Sequence, residues 1–225
     1  MTATTTPDAT APVRLVVGLG NPGSRYERTR HNAGQRVVEA LAARLGAGRM
    51  VDRYAGRFTE VRGPSGPLAL LIPTTFMNDS GRSVGPAAGQ LRAAPDQVLV
   101  VHDEVDLPFG VVRGKRGGGP GGHNGLRSLD VALGSRDYLR VRLGVGRPDP
   151  AFRGDTAAWV LAAFSEPASE VDELLGAGLA MVESALEHGF DAAIATHHAS
   201  PPGARAKARA ERREAGTTTT DDGSE

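Results

Sequence analysis

Residues 15–34, LVVGLGNPGSRYERTRHNAG, restrict the fold more than any other stretch of the chain. A short aliphatic run with no polar alternation breaks into a glycine-rich turn, and helical spacing begins only after a polar interval. Such runs, bounded by turn residues, suit strands buried on both faces. Residues 14–17 and 98–101 read as strands of this kind, and 111–115 and 139–145 as further strands. Residues 57–62 and 68–72, joined by GPSGP, read as a hairpin. Val37, Leu41 and Leu45, with Val38 beside them, space a helix over about 32–45 that Gly46 closes. Further helical patterns cover 80–91, 124–133 and 156 to about 197, the last broken near Pro167 and Gly189. Strands alternating with helices predict a single-domain α/β/α sandwich around a mixed, largely parallel sheet.

Composition narrows the setting. The 225 residues suffice for one sizeable core, and the absence of cysteine excludes disulfides, thiolate metal sites and cysteine nucleophiles. The opening residues, TATTTPDATAPV, have neither the basic start nor the apolar centre of a secretory signal. The aliphatic run 68–72 is far too short to span a bilayer, so no membrane association is expected and a cytoplasmic location is. Residues 1–12 and 200–225 read as disordered extensions of a single domain over 13–199. Basic and acidic residues balance at 26 each. Between Arg113 and Arg147, however, eight basic residues face only Asp130 and Asp137, an excess that would attract phosphates. Solvated helix and strand faces are the alternative reading of that run.

Three polar residues follow three of the strands: Asn21 after 14–17, Asn78 after 68–72 and Asp103 after 98–101. If those strands are parallel, their carboxyl ends line one crevice, and His31 sits above it at the start of the first helix. An imidazole beside Asp103 is suited to general-base work, since the carboxylate fixes the tautomer and stabilises the imidazolium. The helix start acts the other way, disfavouring the cation, so the two influences are expected to balance near neutral pH. A different chemistry is also spelled here. Gly18, Gly20 and Gly23 form G-x-G-x-x-G after a strand, with Glu39 at a distance suited to a ribose contact. Against a dinucleotide enzyme, Pro22 and the polar stretch 24–30 delay the helix, and Glu39 falls inside a helical pattern.

Four blocks together, LVVGLGNPG…TRHNAG, PTTFMN, VHDEVDLP and GGGPGGHNG, resemble the bacterial peptidyl-tRNA hydrolase family over roughly residues 13–190. The resemblance implies a mixed-sheet α/β domain that hydrolyses the ester between an N-blocked aminoacyl group and tRNA, releasing both for reuse in translation. It implies that His31 activates water, that Asp103 supports its basic form and that Asn21 tells blocked from free aminoacyl esters. Tyr26, Phe76, Asn78 and Asn124 would line the acceptor-end and peptide site, with Met77 and His123 flanking them. Lys115 and Arg142 match the residues that clamp the tRNA 5′-phosphate. Peptidyl-tRNA is then the partner, a monomer is expected, and an activated ester demands neither metal nor cofactor. A non-catalytic RNA-binding relative of the same fold is the rival, against which the joint presence of Asn21, His31, Asn78, Asp103 and Asn124 speaks.

Simpler roles stand beside these. Asn21 and Asn78 suit turns and helix starts, and Met77 suits packing. His102 adjoins Asp103 and Glu104, but neighbours on a strand point to opposite faces, which argues against a metal site there. Asp106 reads as a turn residue before Pro108, and His197 and His198 as inert.

Overall fold

Leu15–Gly18 (β1), first in the chain, runs through the middle of a seven-stranded sheet with all its residues buried. In this computed structural model, residues 12–148 and 151–198 are described. The other strands are Val51–Arg53 (β2), Gly56–Gly63 (β3), Gly66–Pro73 (β4), Val98–Glu104 (β5), Val112–Arg116 (β6) and Leu139–Gly144 (β7). They are ordered β2-β3-β4-β1-β5-β7-β6. β1 pairs in parallel with both β4 and β5, and β5 in parallel with β7. The antiparallel pairs β2–β3, β3–β4 and β6–β7 form the two edges. The parallel centre supplies the one condition on which the predicted crevice depended.

Helices cover both faces, completing the α/β/α sandwich. Ala33–Arg44 (α1), Ala168–His188 (α5) and Phe190–His198 (α6) pack Val37, Leu41, Leu174, Met181 and Phe190 against Val16, Leu99, Val101 and Val141. On the other face Gly81–Leu91 (α2) and Asn124–Leu133 (α3) bring Val84, Ala87, Leu126 and Leu129 to Leu15, Val17, Val98 and Val100. Period-two burial on strands meets period-3.6 burial on helices. Gly34 lets α1 lie directly on the sheet, since a Cβ there would come 2.1 Å from the Val101 carbonyl oxygen. That contact sets the helix start, and with it His31, above the end of β5.

Three features were not foreseen. β2 is a short exposed edge strand with no apolar pattern to announce it. The break before α5 is long: Thr156–Leu161 (α4) ends well short of Pro167, and the residues between pack beneath the site. His198 is not inert, because its Nε2 accepts the Gly114 N–H at 2.8 Å and seals α6 onto β6. Burial, with Arg113 and Arg142 nearby, lowers its pKa and favours that neutral acceptor. Of the predicted extensions 1–12 and 200–225, only Pro12 lies within the described residues. No described helix is long and apolar enough to cross a membrane.

Candidate active site

The crevice forms where β1, β4 and β5 end. His31 lies in a short 3-10 turn, Arg30–Asn32, that leads into α1, and Asp103 is near the end of β5. Nδ1 of His31 is 2.9 Å from Asp103 Oδ1 and 3.1 Å from Oδ2. A carboxylate only accepts, so Nδ1 carries the proton and Nε2 is left with its lone pair. Both groups are buried. Burial alone would depress the pKa of His31, but the Asp103 charge and hydrogen bond outweigh it and the pKa is raised. The expected balance with the helix start therefore tilts toward the carboxylate. For Asp103 burial pushes upward, yet His31 and His123 together hold the carboxyl well below the usual range.

His123 does more than flank the site. Its Nδ1 accepts the Leu126 N–H at 3.4 Å as the cap of α3, so its Nε2–H faces Asp103 Oδ1 at 3.1 Å. Asp103 thus receives a donor from each side. Gly125 makes the approach possible, because a Cβ there would lie 2.5 Å from Met77 Sδ and 3.0 Å from His123 Cε1. His102 points to the opposite face from Asp103, as the strand geometry requires, and its ring meets that of His123 edge-on at 5.0 Å. Burial, with His123 beside it, lowers its pKa to about 3, so it is neutral. His31, Asp103 and His123 offer ligand atoms within 4.8 Å of one another. A cation there would have to displace the protons that now join both imidazoles to the carboxylate.

Asn21 is 6% exposed and locked in place. Its Oδ1 accepts the Met77 N–H at 2.8 Å, which leaves the Nδ2 amide as its donor. Asn32, which sequence reasoning passed over, clasps it from behind: Asn32 Oδ1 accepts the Asn21 N–H at 2.8 Å and Nδ2 donates to the Asn21 carbonyl at 2.9 Å. The adjacency of Asn32 to His31 was the available signal. Met77 is buried packing, as its simpler reading had it, while Phe76 and Asn78 on either side are exposed. Asn124, exposed at the start of α3, takes a hydrogen bond from Arg127 at 3.2 Å. Tyr26 stacks under Arg25, with the guanidinium 4.5 Å from its ring.

The basic run separates into two kinds. Strand register places Arg113 opposite Arg142 and Lys115 opposite Arg140, on one face, with Arg142 beside His102. Lys115 is exposed, and Arg142 is partly buried, 3.9 Å from Glu104. Arg140 is buried instead, donating to the Gly118 carbonyl and, at 2.8 Å, to that of Gly119. Arg136 and Arg147 are engaged by Asp130 and Asp106, so the excess is not one continuous patch. The dinucleotide reading fails on geometry. The turn after β1 opens onto a three-residue 3-10 segment, α1 starts at Ala33, and Glu39 is paired with Arg57.

The peptidyl-tRNA hydrolase family model matches residues 15–206. A peptidyl-tRNA hydrolase of Sorangium cellulosum is 46% identical over 196 residues, covering 86% of this chain and 87% of its own. One of Kineococcus radiotolerans is 47% identical over 193 residues, covering 82% and 96%. The crystal structure of the Acinetobacter baumannii peptidyl-tRNA hydrolase superposes with a TM-score of 0.76 at 37% identity, over 84% of this chain and 96% of that one. With the family match spanning most of the sequence, the chain belongs to the peptidyl-tRNA hydrolases.

Proposed function

We propose that this chain cleaves the ester between peptide and tRNA with His31 as the base that activates water. The observation that carries the assignment is the buried contact between His31 Nδ1 and Asp103, which leaves Nε2 free to take a proton. Water gives its proton to Nε2 as its oxygen adds to the ester carbonyl, and Asp103 stabilises the imidazolium. Collapse of the tetrahedral intermediate expels the ribose oxygen, which recovers the proton from Nε2. Peptide acid and free tRNA leave, and His31 is neutral again.

His123 supplies Asp103 with a second donor and keeps the carboxylate ionised and oriented. The Asn21 amide donates to the blocked end of the first residue, a group that free aminoacyl-tRNA lacks. Tyr26 and Asn78 in 3-10 turns, Phe76 just before the second of these and Asn124 at the start of α3 hold the acceptor end and the peptide. Lys115 and Arg142 take the 5′-phosphate. One chain supplies every one of these groups, so we read it as a monomer, and as acting in the cytoplasm because peptidyl-tRNA arises there. Incubation with N-acetyl-aminoacyl-tRNA and with free aminoacyl-tRNA tests the reading. Rapid release of tRNA from the first alone is expected, whereas binding without turnover would leave an RNA-binding relative.

A further inference from the structure

Arg30, next to His31 in the same turn, is a charged side chain only 1% exposed that the chemistry above does not use. Its guanidinium lies 3.5 Å from the Trp159 ring centroid and 5.3 Å from that of Phe164. Nη1 donates to the Ala163 carbonyl at 2.7 Å, and Nη2 donates to Ser165 Oγ at 3.0 Å and Glu166 Oε2 at 2.9 Å. The backbone joins the same segment, with Arg30 N–H donating to the Ala162 carbonyl at 3.1 Å and Thr29 bridged to Ala163. Residues 159–166 are tied in turn to the loop beyond β5. Trp159 Nε1 donates to the Gly146 carbonyl at 2.8 Å, and the Gly146 N–H donates to the Leu107 carbonyl at 3.0 Å. This segment therefore links the turn that bears His31 to the loop that follows Asp103.

A buried ion pair is a poor stability device, since apolar packing of similar volume is often as good or better. What a planar guanidinium with fixed donors and a stacked face provides is direction. On the other side of His31, Asn32 is fastened to the Asn21 backbone. The base thus sits between two anchored neighbours, one fastened to Asn21 and one to residues 163–166. We propose that Arg30 is a positioning residue, whose clamp on residues 159–166 fixes the turn that presents His31 to Asp103. This rests on His31 being the base.

Arg30→Lys keeps the charge and loses the fork and the stacking, and Glu166→Gln keeps an acceptor and loses the charge. Each is assayed with N-acetyl-aminoacyl-tRNA for kcat, KM and the pH dependence of kcat, and the His31 ring is titrated by NMR. Ångström-scale misplacement costs up to about 10²-fold. Arg30→Lys is expected to lower kcat by about 10- to 100-fold and Glu166→Gln by about 3- to 10-fold, with KM changed by less than about twofold. Loosening the Asp103 contact removes what raises the His31 pKa, against burial and beside His123 and His102. The acid limb and the ring titration should therefore both move to lower pH. Unchanged kcat and an unchanged His31 titration in variants that melt at lower temperature would overturn the proposal and leave Arg30 as packing. If Arg30→Lys does not fold, the same two readouts on Glu166→Gln decide. A His31→Ala control that retains turnover would refute the base assignment, while the ring titration would still report whether Arg30 positions it.

Discussion

The proposed dyad, His31 with Asp103 at the end of β5, adjoins the basic strip on β7 and β6, yet the fold holds the two in opposite ways. Asp103 is 2% exposed and held by two histidines, of which His123 is held in turn by the Leu126 N–H. Lys115 is exposed, and Arg142 has a single ion pair at 3.9 Å. Proton transfer needs atoms within hydrogen-bond reach and a controlled protonation state. Attraction to a polyanion needs only charge of the right sign within a Debye length. Arg140 marks the boundary between the two regimes: it shares a face with Lys115 but is turned inward to hold the glycine loop that leads to His123.

If that contrast is right, substitutions in the dyad act on turnover and substitutions in the strip act on affinity. The largest effect belongs to His31→Ala, which should lower kcat by about 10²–10⁴-fold, or about 3–5 kcal/mol of barrier, with tRNA binding retained. Near wild-type turnover would remove His31 from the mechanism. Asp103→Asn should follow, with a smaller loss in rate and an acid limb moved to lower pH. The sign follows from the wild type, where Asp103 raises the His31 pKa above its ordinary value and activity is lost as His31 is protonated below it. An unmoved limb would mean that Asp103 only supports the fold.

Asn21→Asp tests the join between chemistry and binding. One carboxylate oxygen can still accept from Met77 N–H, so the loop is kept, but the free amide donor is gone. Discrimination between blocked and free aminoacyl-tRNA should shrink, and competition kinetics that show equal selectivity would refute the role. Smallest per site are Lys115→Ala and Arg142→Ala. Each should weaken binding similarly for every tRNA and flatten the salt dependence by about one unit of slope. Hydrolysis of a minimal ester without a tRNA body should be unaffected. If deleting residues 201–225 abolishes the salt dependence while both point variants leave it intact, the grip lies in that segment instead.

Much of the crevice was legible because parallel strands carry their function at their carboxyl ends, so Asn21, Asn78 and Asp103 could be grouped before any coordinates. The alternation of side chains along a strand likewise separated His102 from Asp103. What stayed hidden was contact between elements remote in sequence. The Arg30 clamp joins residues more than 130 apart and the Asn32 clasp involves an amide that looks like an ordinary helix start. His123 read as a flanking residue because nothing in GGGPGGHNG says which way its ring turns. Capping of α3 decides that, and it depends on where Leu126 is buried. β2 was invisible for the opposite reason, since it buries nothing.

The position of β1 has a consequence for how the chain comes to exist. β1 precedes the other six strands of the sheet and is the innermost of them, and its two partners are β4 and β5, completed only at Pro73 and Glu104. Until they emerge, Leu15, Val16 and Val17 have no native surface to pair with, and both edges of the strand are open templates. Closing the β1–β5 loop is also an entropic cost that local contacts cannot offset early. A chain stalled before residue 98 has neither the dyad nor a closed core. Hydrolytic competence therefore arrives late in synthesis and all at once, and the apolar run of β1 is the part that most needs protection while the rest is being made.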